Sequence, residues 1–349
     1  MTRPRVAVGS LGGTITMTSD DLGGLRPTLS AAELLSAVPG LNAIASLEAV
    51  TLAGVSSASL GYDEVLAALA WARRAVDGGA AGVVVVQGTD TLEETAYLLD
   101  LFWDRPAPLV LTAAMRAPQR PGSDGPANLW AAVTVAAHPQ SRDIGVIVVM
   151  NDEVHAASRV TKSDSMSVDA FRSPVFGVLG RVVEQWPVYG NRPLRHSPLP
   201  EPAVVVREPR VALLTSHLAD PGDLIRLVAD AGYDGVVLAA LGVGHVSESA
   251  AVAVSEVIGK MAVIVATRTG AGPTAQHTYA FPGSETDLVS RGATVAGWLS
   301  PIKARVLLWA LLRQDCTPVE VQAEFARRGQ MVQAIVAVAP SASRREIEE

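Results

Sequence analysis

Four valines in a row, Val83-Val-Val-Val86, run into Gln87-Gly88 and then through Thr89-Asp90 into the helical pattern Thr91-Leu-Glu-Glu-Thr-Ala96. A short β-branched run without polar alternation reads as a strand covered on both faces, and such strands belong to parallel sheets. Thr91 and Glu94 fit a capping box at the start of the helix, and capping alone accounts for both. The cap does not need Thr89 and Asp90. These two sit on the strand-to-helix turn, and open α/β sheets bind ligands outside the carboxyl ends of their strands.

The same alternation runs along the chain. Strands are expected over 5–9, 48–52, 109–112, 144–150, 211–215, 235–239 and 262–266. Helices are expected over 30–38, 62–76 and 126–138, from Pro221, from Ser247, at Ser300-Pro301 and near Pro318. The pattern predicts an α/β protein with a largely parallel sheet covered on both sides. At 349 residues the chain exceeds one usual core, so two domains are expected. Six prolines, at 187, 193, 198, 200, 202 and 209, mark a crossing between them. The resulting division is 1–190, a linker over 191–209, and 210–349, ending in a charged tail, Arg344-Arg-Glu-Ile-Glu-Glu349, expected to fray.

Basic residues number 28 and acidic residues 35, so the net charge is −7, which gives no support to a nucleic-acid role. Cys316 is the only cysteine, so neither an intrachain disulfide nor a cysteine-based zinc site can form. No apolar stretch has the length of a membrane span, and the run after Met1-Thr-Arg-Pro-Arg5 is too short for a signal peptide. These features describe a cytoplasmic protein with no membrane partner.

Three hydroxyl-rich turns follow expected strands: Ser10-Leu-Gly-Gly-Thr-Ile-Thr16, Ser56-Ser-Ala-Ser59 and the turn at Thr89. If the strands before Thr14 and Thr89 are neighbours, both hydroxyls converge on one edge of the sheet. A threonine becomes a nucleophile only when a base or cation eases removal of its proton; otherwise a turn hydroxyl bonding its own backbone accounts for Thr14. The chain has three lysines, Lys162, Lys260 and Lys303. Lys162 lies in Ser158-Arg-Val-Thr-Lys-Ser163, and desolvation there would make it a base. Composition alone favours an ordinary surface charge. His245 follows an expected strand of the second domain and could reach a neighbouring site and switch charge near neutrality, although the ordinary exposure of histidine favours a solvated loop residue. Gly9-Ser-Leu-Gly-Gly13 lacks the full dinucleotide spacing and a suitably placed acidic residue, which argues against a nucleotide-binding oxidoreductase.

Gly12-Gly-Thr-Ile15 and Gly88-Thr-Asp-Thr-Leu-Glu-Glu-Thr-Ala96 resemble the two signatures of the bacterial-type L-asparaginases, the asparaginase/glutaminase family. Ala114-Met-Arg116, Asp124-Gly-Pro-Ala-Asn-Leu129, Met150-Asn-Asp152, Val160-Thr-Lys162, Ala231-Gly-Tyr-Asp-Gly235 and Ser300-Pro-Ile-Lys-Ala-Arg-Val-Leu-Leu308 follow in the family's order. The resemblance implies a larger N-terminal and a smaller C-terminal α/β domain, and amide hydrolysis through a threonine acyl-enzyme. It implies Thr14 as nucleophile, with Thr89, Asp90 and Lys162 positioning water and relaying protons. Asp90 would hold the substrate's α-ammonium and Ser57 its α-carboxylate, with Ala58 and Gly88 beside them. Backbone groups at Thr89 and Ala114 would face the reacting amide, as a developing oxyanion requires. It implies no metal and no cofactor, a small-molecule amide substrate, and a homotetramer or homodimer.

Four positions depart from the family pattern. No tyrosine precedes Tyr62, and the lid segment reads Gly23-Gly-Leu-Arg-Pro27. The glutamine beside the carboxylate-binding serine is replaced by Ala58, and a histidine by Gln87. The acidic residue lent by a partner subunit has no clear match in Gln276-His-Thr-Tyr-Ala-Phe-Pro-Gly-Ser-Glu285. Hydrolysis of L-asparagine is the leading reading. Hydrolysis of glutamine or a larger amide, and a catalytically weak amino-acid-binding homologue, are the alternatives.

Overall fold

The computed structural model describes residues 3–19, 24–201, 205 and 207–329. The charged tail, Gly23 of the lid segment and part of the proline-rich linker lie outside them.

The N-terminal region contains β1 (Arg5–Gly12), β2 (Met17–Ser19), β3 (Leu25–Pro27), α1 (Ala31–Ser36), α2 (Leu41–Ile44), β4 (Ser46–Val55), α3 (Tyr62–Asp77) and β5 (Gly82–Val86). It continues through α4 (Leu92–Phe102), β6 (Leu109–Thr112), α5 (Gly125–Ala137), β7 (Val146–Met150), β8 (Glu153–Ala156), β9 (Thr161–Lys162), β10 (Phe171–Arg172), β11 (Gly180–Val183) and β12 (Trp186–Tyr189). The C-terminal region holds β13 (Val211–Thr215), α6 (Asp223–Asp230), β14 (Gly235–Ala240), α7 (Glu248–Val257), β15 (Ala262–Thr267), α8 (Glu285–Ser290), β16 (Thr294–Val295), α9 (Pro301–Arg313) and α10 (Pro318–Arg328).

Eight strands form the main sheet in the order β12-β11-β8-β7-β6-β5-β1-β4. The run from β7 to β4 is parallel, and β8, β11 and β12 add antiparallel pairs at one side. The second, smaller sheet is parallel throughout, β13-β14-β15-β16. The architecture is therefore α/β, a mainly parallel eight-stranded sheet with a separate smaller C-terminal domain.

Period-two alternation explains the layering. Val83 and Val85 face the core beneath α3 and α4, and Val84 and Val86 face the core beneath α5. All four are fully buried, and each burial contributes about 1.5–3 kcal/mol. The α3/α4 core continues without a break into α9 and the inner face of the smaller sheet. Tyr62 of α3 stacks on Trp309 of α9 at 3.7 Å between ring centroids.

Several boundaries differ from the sequence reading. β1 runs past Gly9 to Gly12, and β7 begins at Val146, after Gly145, whose φ is +91°. Pro187, first of the six prolines that mark the crossing, lies on the edge strand β12, where a missing N–H costs no ladder bond. The helix read from Pro221 begins at Asp223 behind Gly222.

The capping box at Thr91 is absent: its side chain makes no cap bond. The Thr91 hydroxyl instead donates to the Ser57 carbonyl at 2.9 Å and accepts from Gln87 Nε2 at 3.1 Å. Glu94 turns to a small cavity shared with Tyr62 and Arg305. Burial there raises its carboxyl pKa, with Arg305 opposing.

Candidate active site

Four adjacent parallel strands, in the spatial order β6-β5-β1-β4, direct their carboxyl ends to one rim of the main sheet. β4 and β5 leave β1 on opposite sides, so β1 is where the strand order reverses, and ligands of open α/β sheets bind at that reversal. Thr14 follows β1, Ser57 follows β4, Gly88 to Asp90 follow β5, and Ala114 follows β6.

Glycines make the close approach possible. Gly12 and Gly13 have φ of +103° and +93°, a region costly for side chains. A Cβ on Gly13 would stand 2.1 Å from Gly88 N. A Cβ on Gly88 would stand 2.5 Å from Ser57 Oγ and 3.1 Å from Gly13 Cα. The two glycine backbones thus touch, so the turns that carry Thr14 and Thr89 run side by side.

Thr14 opens a single 3-10 turn held by Thr16, whose N–H and hydroxyl both donate to the Gly13 carbonyl at 2.9 and 2.8 Å. It is half-buried. Self-bonding within this turn therefore belongs to Thr16. Among the described residues Thr14 Oγ1 has no hydrogen-bond partner.

A hydrogen-bonded ring lies beside it. Lys162 Nζ donates to Thr89 Oγ1 at 2.9 Å and to Asp90 Oδ1 at 3.1 Å. Ser57 Oγ donates to Asp90 Oδ2 at 3.3 Å and accepts from Asp90 N at 3.2 Å. Ser57 and Thr89 are buried, whereas the Asp90 side chain is 57% exposed and Lys162 18%. The ring therefore offers one accessible carboxylate and one largely covered ammonium. Lys162 is not the ordinary surface charge that composition favours.

Ala114 is fully buried. Its loop is fixed by Asp124, which accepts from Met115 N and Arg116 N at 2.9 and 2.8 Å, and by Asn128, which donates to the Ala113 carbonyl. A Cβ on Gly125 would contact both Ile15 and Ala114, so the Ala114 loop borders the Thr14 turn. Ala58 is exposed on the rim, next to Ser57. Gln87 is buried and donates to the Thr91 and Thr95 hydroxyls at 3.1 and 3.0 Å. His245 is not a solvated loop residue: Nε2 lies 3.2 Å from Glu285 Oε2, and its ring packs edge-on against Tyr279 and Phe281.

Sequence reasoning missed a second layer. Glu93, in the first turn of α4, accepts from Lys303 Nζ at 3.0 Å, from Thr161 Oγ1 at 3.3 Å and from Lys162 N at 3.4 Å. Glu93 and Lys303 both lie inside quoted motifs, but nothing local in either points to the other. Among the described residues no cluster of His, Cys, Asp and Glu could hold a metal ion, and no helix is long and apolar enough to cross a membrane.

Known proteins match the chain over most of its length. The family described as Asparaginase, N-terminal matches residues 5–195, and the Glutaminase/Asparaginase C-terminal domain matches residues 210–325. A probable periplasmic L-asparaginase of Haemophilus influenzae is 34% identical over 328 residues, 92% of each chain. L-asparaginase 2 of Escherichia coli is 34% identical over 331 residues, again 92% of each chain. The crystal structure of a probable cytoplasmic L-asparaginase from Campylobacter jejuni superposes with a TM-score of 0.83 at 30% identity, covering 93% of this chain and 99% of that one.

Proposed function

The chain belongs to the asparaginase/glutaminase family, and from that premise we propose that it hydrolyses L-asparagine to L-aspartate and ammonia through a threonine acyl-enzyme. The observation that supports this best is the Ser57–Asp90–Lys162–Thr89 ring placed beside Thr14 by the Gly13–Gly88 contact.

In this reading Thr14 Oγ1 attacks the side-chain amide carbon. The new C–O bond forms, the C–N bond breaks, and the nitrogen leaves as ammonia after gaining a proton. Water then attacks the ester and frees Thr14. Lys162 polarises Thr89, and with Asp90 the pair positions the water and relays its proton. Backbone N–H groups at Thr89 and Ala114 face the developing oxyanion. The exposed Asp90 carboxylate pairs with the substrate α-ammonium. Ser57 receives the α-carboxylate near the N-terminus of α4, where the helix dipole favours an anion. Gly88 and Ala58 complete the wall.

The protein acts, on this reading, as a cytoplasmic homotetramer or homodimer, with domains over 1–190 and 210–349 and a linker over 191–209. A second reading has its own support. The exposed methyl of Ala58 leaves the rim open and offers no donor, which suits glutamine or a larger amide. Ammonia release from asparagine, glutamine and larger amides separates the two. Fastest release from asparagine supports the first reading, and fastest release from a larger amide supports the second. Asparagine binding without ammonia release would reduce the protein to an amino-acid-binding homologue.

A further inference from the structure

Lys162 carries the charge at the centre of the ring, yet it sits on a two-residue strand, β9, paired only with the two-residue β10. Two residue pairs of ladder are a weak support for a group that must be held to a fraction of an ångström. The additional support comes from the smaller domain. Lys303, 2% exposed in the first turn of α9, sends its ammonium across the domain boundary to Glu93 Oε2 and to the Val160 carbonyl. Glu93, 6% exposed, uses its other oxygen to accept from the Thr161 hydroxyl and the Lys162 N–H. Residues 160, 161 and 162 are thus each gripped by one member of the pair.

We infer that Glu93 and Lys303 are positioning residues: their buried ion pair fixes the backbone of residues 160–162, so that Lys162 reaches Thr89 and Asp90 only when the smaller domain is docked. The inference rests on the proposed amide hydrolysis for its kinetic consequence, but not for its structural one. Its physical basis is a chain of contacts from Lys303 through Glu93 to Lys162 N, and from Lys162 Nζ to Thr89. Burial makes the pair demanding, because either charge left alone is strongly destabilising, whereas replacing both by neutral groups is tolerated. That asymmetry separates positioning from mere stability.

The test uses the full-length protein with Lys303→Met and with the double variant Lys303→Met/Glu93→Gln. Lys303→Met is expected to lower kcat by about tenfold or more with KM within about threefold, because it misplaces a reacting group and not a binding contact. The double variant should recover the melting temperature lost by Lys303→Met but not kcat. Recovery of both together, or kcat within about threefold of the parent in both variants, would overturn the inference. If Lys303→Met does not fold, the neutral double variant carries the test alone.

A second readout is independent of activity. The chain has three lysines, so protein labelled with 13C at lysine Cε gives three resolvable side-chain signals. Removing Lys303 leaves those of Lys162 and Lys260. The Lys162 signal should move towards that of Lys260, whose side chain is 60% exposed. An unmoved Lys162 signal would overturn the inference even if the protein hydrolysed no amide at all.

Discussion

Gly88→Ala tests the convergence of the strand ends without removing any side chain from the site. The added Cβ would meet Ser57 Oγ at 2.5 Å and Ser57 Cβ at 2.9 Å. Ordinary contact begins near 3.4 Å, so Ser57 must retreat by about 1 Å. Its bonds to Asp90 are already long, at 3.2 and 3.3 Å. A retreat of that size takes both beyond hydrogen-bonding range. The displaced Ser57 hydroxyl then loses its proposed bond to the charged α-carboxylate of the substrate, about 1.5–3 kcal/mol, roughly a 10- to 150-fold rise in KM. Gly88 has no positive φ, so the substitution carries no backbone strain of its own, and thermal melting would confirm that the variant folds. Steady-state ammonia release with asparagine is the assay. A KM within about threefold of the parent would show that Ser57 and Asp90 do not bind substrate together.

Lys162→Met should remove about a hundredfold or more of kcat; its partly exposed pair with Asp90 should contribute at most about 1 kcal/mol to stability. Parallel kinetics and melting check both halves, and a loss below tenfold would count against proton relay. Asparagine should bind weakly to the parent, and Ala58→Gln should tighten it by about 1 kcal/mol, close to fivefold in KM, for one regained hydrogen bond. An unchanged or weaker affinity would mean that other residues complete the pocket. His155 supplies a pH signature. Burial lowers its pKa to about 4 from 6.5, with the Arg181 charge acting in the same direction and the Asp169 carboxylate opposing it only in part. The unfolded chain therefore takes up this proton near pH 6.5 and the folded chain only near 4. Stability from the neutral ring is complete above about pH 6.5 and falls with pH below it, by up to about 3 kcal/mol. Denaturant melts across this range should slope in the parent and flatten in His155→Asn; equal slopes would refute the assignment.

Much of this was legible in the chain. Val83 to Val86 could only be a strand buried on both faces, and the turns after β1, β4 and β5 announced themselves by glycine and hydroxyl residues. Thr89, Asp90 and Lys162 stood out by residue type, and the structure brings them within hydrogen-bonding distance. The failures share one cause, which is tertiary competition for a group whose local role looked settled. Thr91 has the spacing of a cap, but the Ser57 carbonyl, 34 positions away in sequence, takes its hydroxyl. Glu93 and Lys303 are 210 positions apart and pair across the domain boundary, so no periodicity or local motif connects them. Pro187 differs in kind: it heads a cluster of prolines that marks the domain crossing, yet it closes the edge of the main sheet, where a missing N–H costs no ladder bond.

Thr14 is the group that takes the acyl in the proposed reaction, and ammonia release by Thr14→Ala at saturating asparagine measures that directly. With the variant folded, as its melting temperature would show, turnover should fall by roughly a thousandfold or more, because the covalent route is closed while binding through Asp90 and Ser57 is retained. Turnover within about tenfold of the parent would contradict the account and move the chemistry to a different residue.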